Sequence, residues 1–410
     1  MRYLFIHQNF PGQFRHVAAA LAEIPTNTVV AMGDAAEVKN RPMPSTKIRW
    51  VPYELSRQAA PQTHHYLRGF ENNVLRGQSV VRVAISLKNS GFEPDLIVVH
   101  TGWGESLYLK EVFPRAKTIG YFEFFYHSAG ADVDFDPEFP STFDDKCRVH
   151  TRNATQLLAW STVDAGWSPT QWQANLYPAE YHPRINVIHE GVDTALLKPD
   201  DTAQFELPNG KILTPRDEVI TFINRNLEPY RGFHVFMRTL AEVLKARPNA
   251  QVLMVGGDEV SYGKKHTSGL PWREVMVNEV GNRLDMNRIH FLGRIPYLHY
   301  IKLLQVSSVH VYLTYPFVLS WSLLEAMSVG CLIVASKTPP VEEVIQANDT
   351  GILFPFFDMA MLRDSIIKAL NDQTRYRSMR QCARDYIVEN YDLATTCLPE
   401  QLDFFQRVLG

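Results

Sequence analysis

Two consecutive doubly wound α/β domains are what the sequence predicts, on three observations. The chain has 410 residues, more than one hydrophobic core usually serves, since single cores stop growing at roughly 250–300 residues. Short apolar, strand-like runs alternate with helical patterns in two series, one in each half, and such alternation argues for parallel sheets covered by helices on both faces. Apolar residues make up 45% and charged residues 21% of the chain, enough to fill two interiors with no segment biased toward disorder.

The first series opens with the apolar run 2–7, the turn-forming Asn9-Phe10-Pro11-Gly12-Gln13-Phe14 and a helical pattern over 16–23, a βαβ start. Strands are expected at 28–32, 48–52, 95–100 and 118–122, with a long helix over 64–88. The second series places strands at 219–223, 251–255, 288–292, 310–313, 332–335 and 351–354. Between them, 187–217 carries Pro199, Pro208, Pro215 and Asn209-Gly210 and reads as connection and edge rather than core. The expected domains are therefore 1–194 and 195–391. The tail 392–410 is helical after a break and adds no strand, so it is expected to cross back to the first domain.

Charge and cysteines exclude several classes. The formal net charge is −3, without the basic excess that binding of polymeric nucleic acid requires. Cys147, Cys331, Cys382 and Cys397 lack CxxC spacing and read as reduced core fillers. The apolar start MRYLFIHQ is too short for a signal peptide, and no run approaches the ~18 residues of a membrane span. A cytoplasmic protein, at most peripheral at the inner membrane face, is expected.

Several segments could carry chemistry. Leu323-Leu324-Glu325-Ala326-Met327-Ser328-Val329-Gly330 is a helical pattern preceded by the loop Phe317-Val318-Leu319-Ser320, with Ser320 or Ser322 as cap and Trp321 beside them. Amides at a helix N-terminus favour phosphate, and a carboxylate one turn in can accept hydrogen bonds from ribose hydroxyls. The same residues also fit an ordinary buried helix with Glu325 on its polar side. Phe222-Ile223-Asn224-Arg225-Asn226-Leu227-Glu228-Pro229-Tyr230-Arg231-Gly232-Phe233 follows a strand and opens a helix, offering Arg225 and Arg231 to a leaving diphosphate. By themselves they could equally be two surface arginines. Arg294 and Ile295 end the strand-like run that starts at Ile289, Gly12 suits close backbone approach, and His127 closes the strand-like run begun at Thr118. Trp103 and Glu105, in the loop after His100, are assigned to an acceptor side from topology alone.

Strand, loop, LLEAMSVG and a second strand resemble the donor site of retaining GT-B glycosyltransferases, family four in particular, and the likeness extends over nearly the whole chain. The resemblance implies two Rossmann-like domains facing a central cleft, and a reaction that moves a sugar from a nucleotide diphosphate sugar to an acceptor hydroxyl with retention of configuration. It implies that Glu325 contacts the nucleotide ribose, that Arg225 and Arg231 stand at the arginine and lysine positions on the donor diphosphate, and that Arg294 and Ile295 lie where the base is read. It further implies that Ser320, Trp321, Ser322 and Leu323 at the helix start belong to the donor site, that Gly12 lies by the donor phosphate, and that His127 lies near the donor sugar. The chain departs from the family at Phe317, where the first of two glutamates contacts the sugar, and at Pro339 and Pro340, which replace two glycines.

The resemblance implies that the leaving diphosphate itself helps to deprotonate the acceptor, so no cofactor or metal is expected. The acceptor is open among glycan, lipid-linked sugar, small molecule and protein. Arg231→Ala is expected to cut turnover and leave the fold intact. Two other readings stay open: a nucleotide-sugar epimerase, and a sugar-nucleotide-binding protein weakened in chemistry by Phe317. Gly257 to Lys265 has the wrong spacing for a P-loop, and Asp132-Val133-Asp134-Phe135-Asp136 has Pro137 where a calcium loop needs glycine.

Overall fold

Alternation of side chains along β1, Arg2–Ile6, divides the first core in two, because successive residues of a strand point to opposite faces. Tyr3 and Phe5 pack with Phe14, Val17 and Leu21 of the first helical segment and with Phe404 and Phe405 near the C-terminus. Leu4 and Ile6 pack instead with Val80, Ala84 and Leu87, from the helix Arg68–Asn89. The computed structural model describes residues 1–39 and 41–410. It comprises two compact units, Met1–Gly191 with Ala394–Gly410, and Val192–Leu393.

The first unit holds a seven-stranded sheet in the order β3-β2-β1-β4-β5-β6-β7. Its other strands are β2 (Thr28–Asp34), β3 (Arg49–Tyr53), β4 (Leu96–His100), β5 (Lys117–Tyr121), β6 (Ala165–Ser168) and β7 (Ile185–Val187). All are parallel: Phe5 lies opposite Ala31 on one side and Val98 on the other. β4 reads LIVVH and every residue is buried, the continuous apolar run of a strand covered on both faces. The closing helix Leu398–Leu409 belongs to this unit, with the Phe405 ring 5.9 Å from Trp167 and 6.4 Å from Phe5. Burying such a side chain contributes about 1.5–3 kcal/mol.

The second unit repeats the order as β12-β11-β10-β13-β14-β15. These strands are β10 (Val219–Asn226), β11 (Gln251–Gly257), β12 (Ile289–Phe291), β13 (Val309–Tyr312), β14 (Ile333–Ser336) and β15 (Ile352–Phe354). A small antiparallel hairpin, β8 (Phe205–Glu206) with β9 (Ile212–Leu213), precedes them. The helix Trp321–Val329 inserts Leu323, Leu324 and Met327 into a core shared with Leu253, Val255 and Tyr312. Among the described residues no helix is long and apolar enough to cross a membrane.

Three expectations are corrected here. β6 and β7 were not foreseen, because they are short, and AGWS lacks an apolar run. The stretch 187–217 is not merely edge: Leu197, Phe205, Leu207 and Leu213 enter the second core, since the hairpin folds its apolar side inward. The strand expected at 118–122 forms as β5, but the strand-like run that continues toward His127 leaves it after Tyr121.

Candidate functional site

In open α/β sheets ligands collect beyond the carboxyl ends of the strands, where strand order reverses. In the second sheet that place lies between β10 and β13. The end of β10 shifts register against β11 between Ile223 and Asn226, and within this irregularity Arg225 stands exposed, its side chain with no hydrogen bond or ion pair among the described residues. The chain then makes the 3-10 turn Pro229–Arg231, closed by Gly232 in the left-handed region at φ +67°. A Cβ at Gly232 would lie 2.4 Å from that of Leu313, so only glycine fits this close approach.

Arg231 is unlike Arg225. It is 4% exposed, and its Nη1 donates to Thr314 Oγ1 at 2.7 Å, to the Val318 carbonyl at 3.0 Å and to the Tyr312 hydroxyl at 3.4 Å. The rings of Tyr262 and Phe317 lie 5.2 and 5.8 Å from its guanidinium carbon. Burial pulls its pKa down, but Tyr312, Tyr262 and Glu228 outweigh that, and the net direction is upward. Arg231 is a fixed cation built into the end of the sheet. Its removal would leave buried acceptors without a donor, so alanine there is expected to cost stability as well as turnover.

Beyond β13, Ser320 caps the helix Trp321–Val329: its Oγ accepts from the Ser322 amide and lies 3.0 Å from Ser322 Oγ. Its own amide donates to the Tyr312 hydroxyl at 2.9 Å, which ties the cap to the group that holds Arg231. Trp321, at the first helical position, is 46% exposed. Leu323 is corrected as a ligand group: its side chain is core, and its amide already donates to the Ser320 carbonyl. Glu325 accepts from the Tyr297 hydroxyl at 2.8 Å and the Tyr300 hydroxyl at 2.6 Å, so two phenols orient the carboxylate. Burial first, and Glu325 second, push the Tyr300 pKa well above its usual value. Arg294 is exposed, paired with Glu259 at 2.8 Å; Ile295 packs against the core.

Phe317 is 6% exposed, its ring 4.8 Å from Tyr262 and 5.6 Å from Tyr230. The position therefore offers an aromatic wall. Pro339 and Pro340 open the short helix Pro339–Glu342, where missing amide hydrogens cost nothing because the first helical amides have no partner within the helix.

In the first sheet the order reverses between β1 and β4, and a histidine ends or follows each strand. His7 accepts from the Asn9 amide through Nδ1 at 2.9 Å, which assigns the proton to Nε2, 2.7 Å from Gln13 Oε1. Gln13 Nε2 donates onward to Glu123 at 2.8 Å, and the other Glu123 oxygen lies 3.5 Å from His100 Nε2. The His100 ring stacks on Trp103 at 3.8 Å and meets His7 edge to face at 5.2 Å. Burial first, and then His100, hold the His7 pKa well below the ordinary histidine value. The neutral ring therefore serves as a hydrogen-bonding group. Sequence reading missed His7, Gln13, His100 and Glu123, although the two histidines closed apolar runs.

Trp103 thus joins the cluster at the reversal point, whereas Glu105 does not. Glu105 is 1% exposed and accepts from Tyr53 at 2.9 Å; Arg76 donates to that hydroxyl and to Asp34. Burial holds its carboxyl above the usual range, and through Tyr53 it adjoins the contact by which Arg76 joins β3 to the long helix. His127, expected to close a strand-like run, lies outside the strand. It follows β5 by several irregular residues, and its Nε2 is 2.7 Å from the Leu176 carbonyl. Phe122-Glu123-Phe124-Phe125-Tyr126 has the aromatic content of a strand but leaves the sheet.

Gly12 has φ +48°, and a Cβ there would sit 2.5 Å from His7 Nε2. Gly12→Ala should destabilise the first unit by about 1–2 kcal/mol from the left-handed backbone alone, and further by displacing the His7 ring. Urea denaturation measures this, and a midpoint equal to the parent's would mean that the turn relaxes freely.

Residues 25–197 match the model for the glycosyl transferase family 4 group, and residues 206–386 match that for glycosyl transferases group 1. A D-inositol 3-phosphate glycosyltransferase of Corynebacterium efficiens is 28% identical over 217 residues, 52% of this chain and 49% of the relative. The chain thus spans about half the length of this curated relative. Among solved structures, sucrose-phosphate synthase from Thermosynechococcus elongatus superposes with a TM-score of 0.75 at 16% identity, covering 100% of this chain and 99% of the other. HepE of Anabaena, solved with UDP and glucose, superposes at 0.66 with 17% identity and 99% coverage of both chains. At such identities these two likenesses show the fold.

Proposed function

From a GT-B chain whose two halves match the family 4 and group 1 glycosyltransferase models, and which resembles glycosyltransferase family four, we propose a retaining glycosyltransferase that uses a nucleotide diphosphate sugar. The observation that carries the proposal is that an exposed Arg225, whose side chain has no hydrogen bond or ion pair among the described residues, and the fixed Arg231 both stand at the end of β10, where strand order reverses in the second sheet. The helix start at Ser320, tied to Tyr312, which also contacts Arg231, adds amide dipoles to the same strand end. In the proposed reaction the bond from the sugar's anomeric carbon to the diphosphate oxygen breaks. The leaving oxygen takes the acceptor's proton, and the acceptor oxygen bonds to the anomeric carbon on the same face. Two guanidinium groups and oriented amides stabilise the departing charge without a bound metal.

Glu325, oriented by Tyr297 and Tyr300, is the proposed ribose contact. UDP is the first base to test, because HepE was solved with it; polyols are the first acceptors to test, given the inositol phosphate named for a relative. The test is a thermal-shift series with UDP, GDP, ADP and their glucose conjugates, followed by product analysis with polyol acceptors. A ligand at a hundred times its dissociation constant stabilises by about 2.7 kcal/mol, so a true donor should raise the melting temperature clearly. Indifference to every nucleoside diphosphate would sink the proposal.

A second reading, a sugar-nucleotide-binding protein that turns over slowly, is favoured by Phe317 within its aromatic contacts. Tight binding of a nucleotide sugar, with neither transfer nor hydrolysis, would select it.

A further inference from the structure

Glu228 is a buried carboxylate that the proposed reaction does not use. It is 0% exposed, and it accepts from three consecutive amides: Ser261 at 3.1 Å through Oε1, and Tyr262 at 3.3 Å and Gly263 at 3.0 Å through Oε2. Successive amides that converge on one point form a nest for an anion, and this nest is filled by the protein's own side chain. Its amides belong to the loop 258–271, between β11 and the helix Trp272–Val280. A connection of that length without secondary structure is usually functional.

The latch fixes where the loop lies, together with Asn226 Nδ2, which donates to Ser261 Oγ at 2.6 Å, and Trp272 Nε1, which donates to the Lys264 carbonyl at 3.0 Å. With Gly263 against Glu228 and Tyr230 (a Cβ there would be 3.3 Å from each), the Tyr262 ring is carried to Phe317 and Arg231. Lys264 and Lys265, both exposed, follow directly. Glu228 itself sits between Arg225 and Arg231 in sequence, so the latch anchors the lysine-bearing loop to the segment that presents both arginines.

Resting on the nucleotide diphosphate reading, we propose that Glu228 is a positioning residue whose amide latch holds Lys264 and Lys265 at the β10 end, as further cations for the diphosphate. Glu228 does not touch the ligand. Its loss frees the loop and removes the lysines from their place.

Two opposed effects make the proposal testable by sign. Replacing Glu228 by glutamine deletes a negative charge near Arg231, which alone would tighten anion binding. It also turns an amino group toward backbone donors, which breaks the latch. The latch predicts weaker binding: Glu228→Gln should lower affinity for a nucleoside diphosphate about tenfold or more, as expected for losing one hydrogen bond to a charged group. Affinity for the nucleoside without phosphates should stay unchanged. Amide hydrogen exchange at Ser261, Tyr262 and Gly263 should accelerate.

The second variant, Lys264→Gln with Lys265→Gln, leaves the latch intact and keeps the test open if Glu228→Gln does not fold. It should reproduce the loss of diphosphate affinity without faster exchange. Tighter binding by Glu228→Gln, faster exchange with unchanged affinity, or full affinity in the double lysine variant would each overturn the inference, while parent protein that binds no nucleoside diphosphate overturns the underlying reading instead.

Discussion

Arg231→Ala should lose both turnover and stability, whereas Arg231→Lys should lose chiefly turnover. Three buried acceptors, Thr314 Oγ1, the Val318 carbonyl and the Tyr312 hydroxyl, converge on Nη1. Leaving buried polar groups unsatisfied costs about 1–3 kcal/mol each, and the hydroxyls recover part of this by turning. A cavity between Tyr262 and Phe317 adds to the cost. We expect an alanine penalty of about 3–5 kcal/mol, in the range measured where a buried charged network is broken. Lysine keeps a positive charge with three donors and can serve the same acceptors, but not as a planar fork beneath two rings. Chemical denaturation of the three proteins measures the stability, and donor hydrolysis measures the turnover. An alanine variant as stable as the parent would mean that the network contributes nothing; a lysine variant as unstable as alanine would make guanidinium shape the stabilising property.

The contrast between the two arginines shows what sequence could and could not reveal. That Arg225 and Arg231 bracket a strand-to-helix turn was legible from the residues alone. That one is exposed and the other buried was not, because burial of Arg231 depends on Tyr312 and Thr314, over eighty residues away. Glu228 was overlooked for the same reason: its partners lie 33 to 35 residues further on. The helix around Glu325 was legible because cap, apolar face and C-terminal glycine are contiguous. The first-unit cluster was not, since His7 and His100 meet only because the sheet sets β4 beside β1. The aromatic run before His127 carried strand propensity but leaves the strand after Tyr121, and propensity is a weak guide beside tertiary context.

Arg225→Ala should show the opposite profile from Arg231→Ala. Arg225 is exposed and its side chain has no hydrogen bond or ion pair among the described residues, so truncation removes no folded-state contact of that kind. Surface changes of this sort usually stay within about 0.5 kcal/mol. Any larger effect must come from the ligand. If the guanidinium meets the leaving diphosphate as its charge develops, turnover should fall by about a hundred- to a thousandfold, the loss typical of one oriented donor at a developing oxyanion. Arg225→Lys should recover part of it, because lysine restores charge without the bidentate fork. As the site is open to solvent, the advantage of the parent over the alanine variant should shrink as salt is raised, since the Debye length falls from about 10 Å at 0.1 M to about 3 Å at 1 M. Unchanged turnover in Arg225→Ala, with the parent active, would place the diphosphate away from the end of β10. A stability loss comparable to that of Arg231→Ala would show instead that Arg225 is held by a contact within the fold.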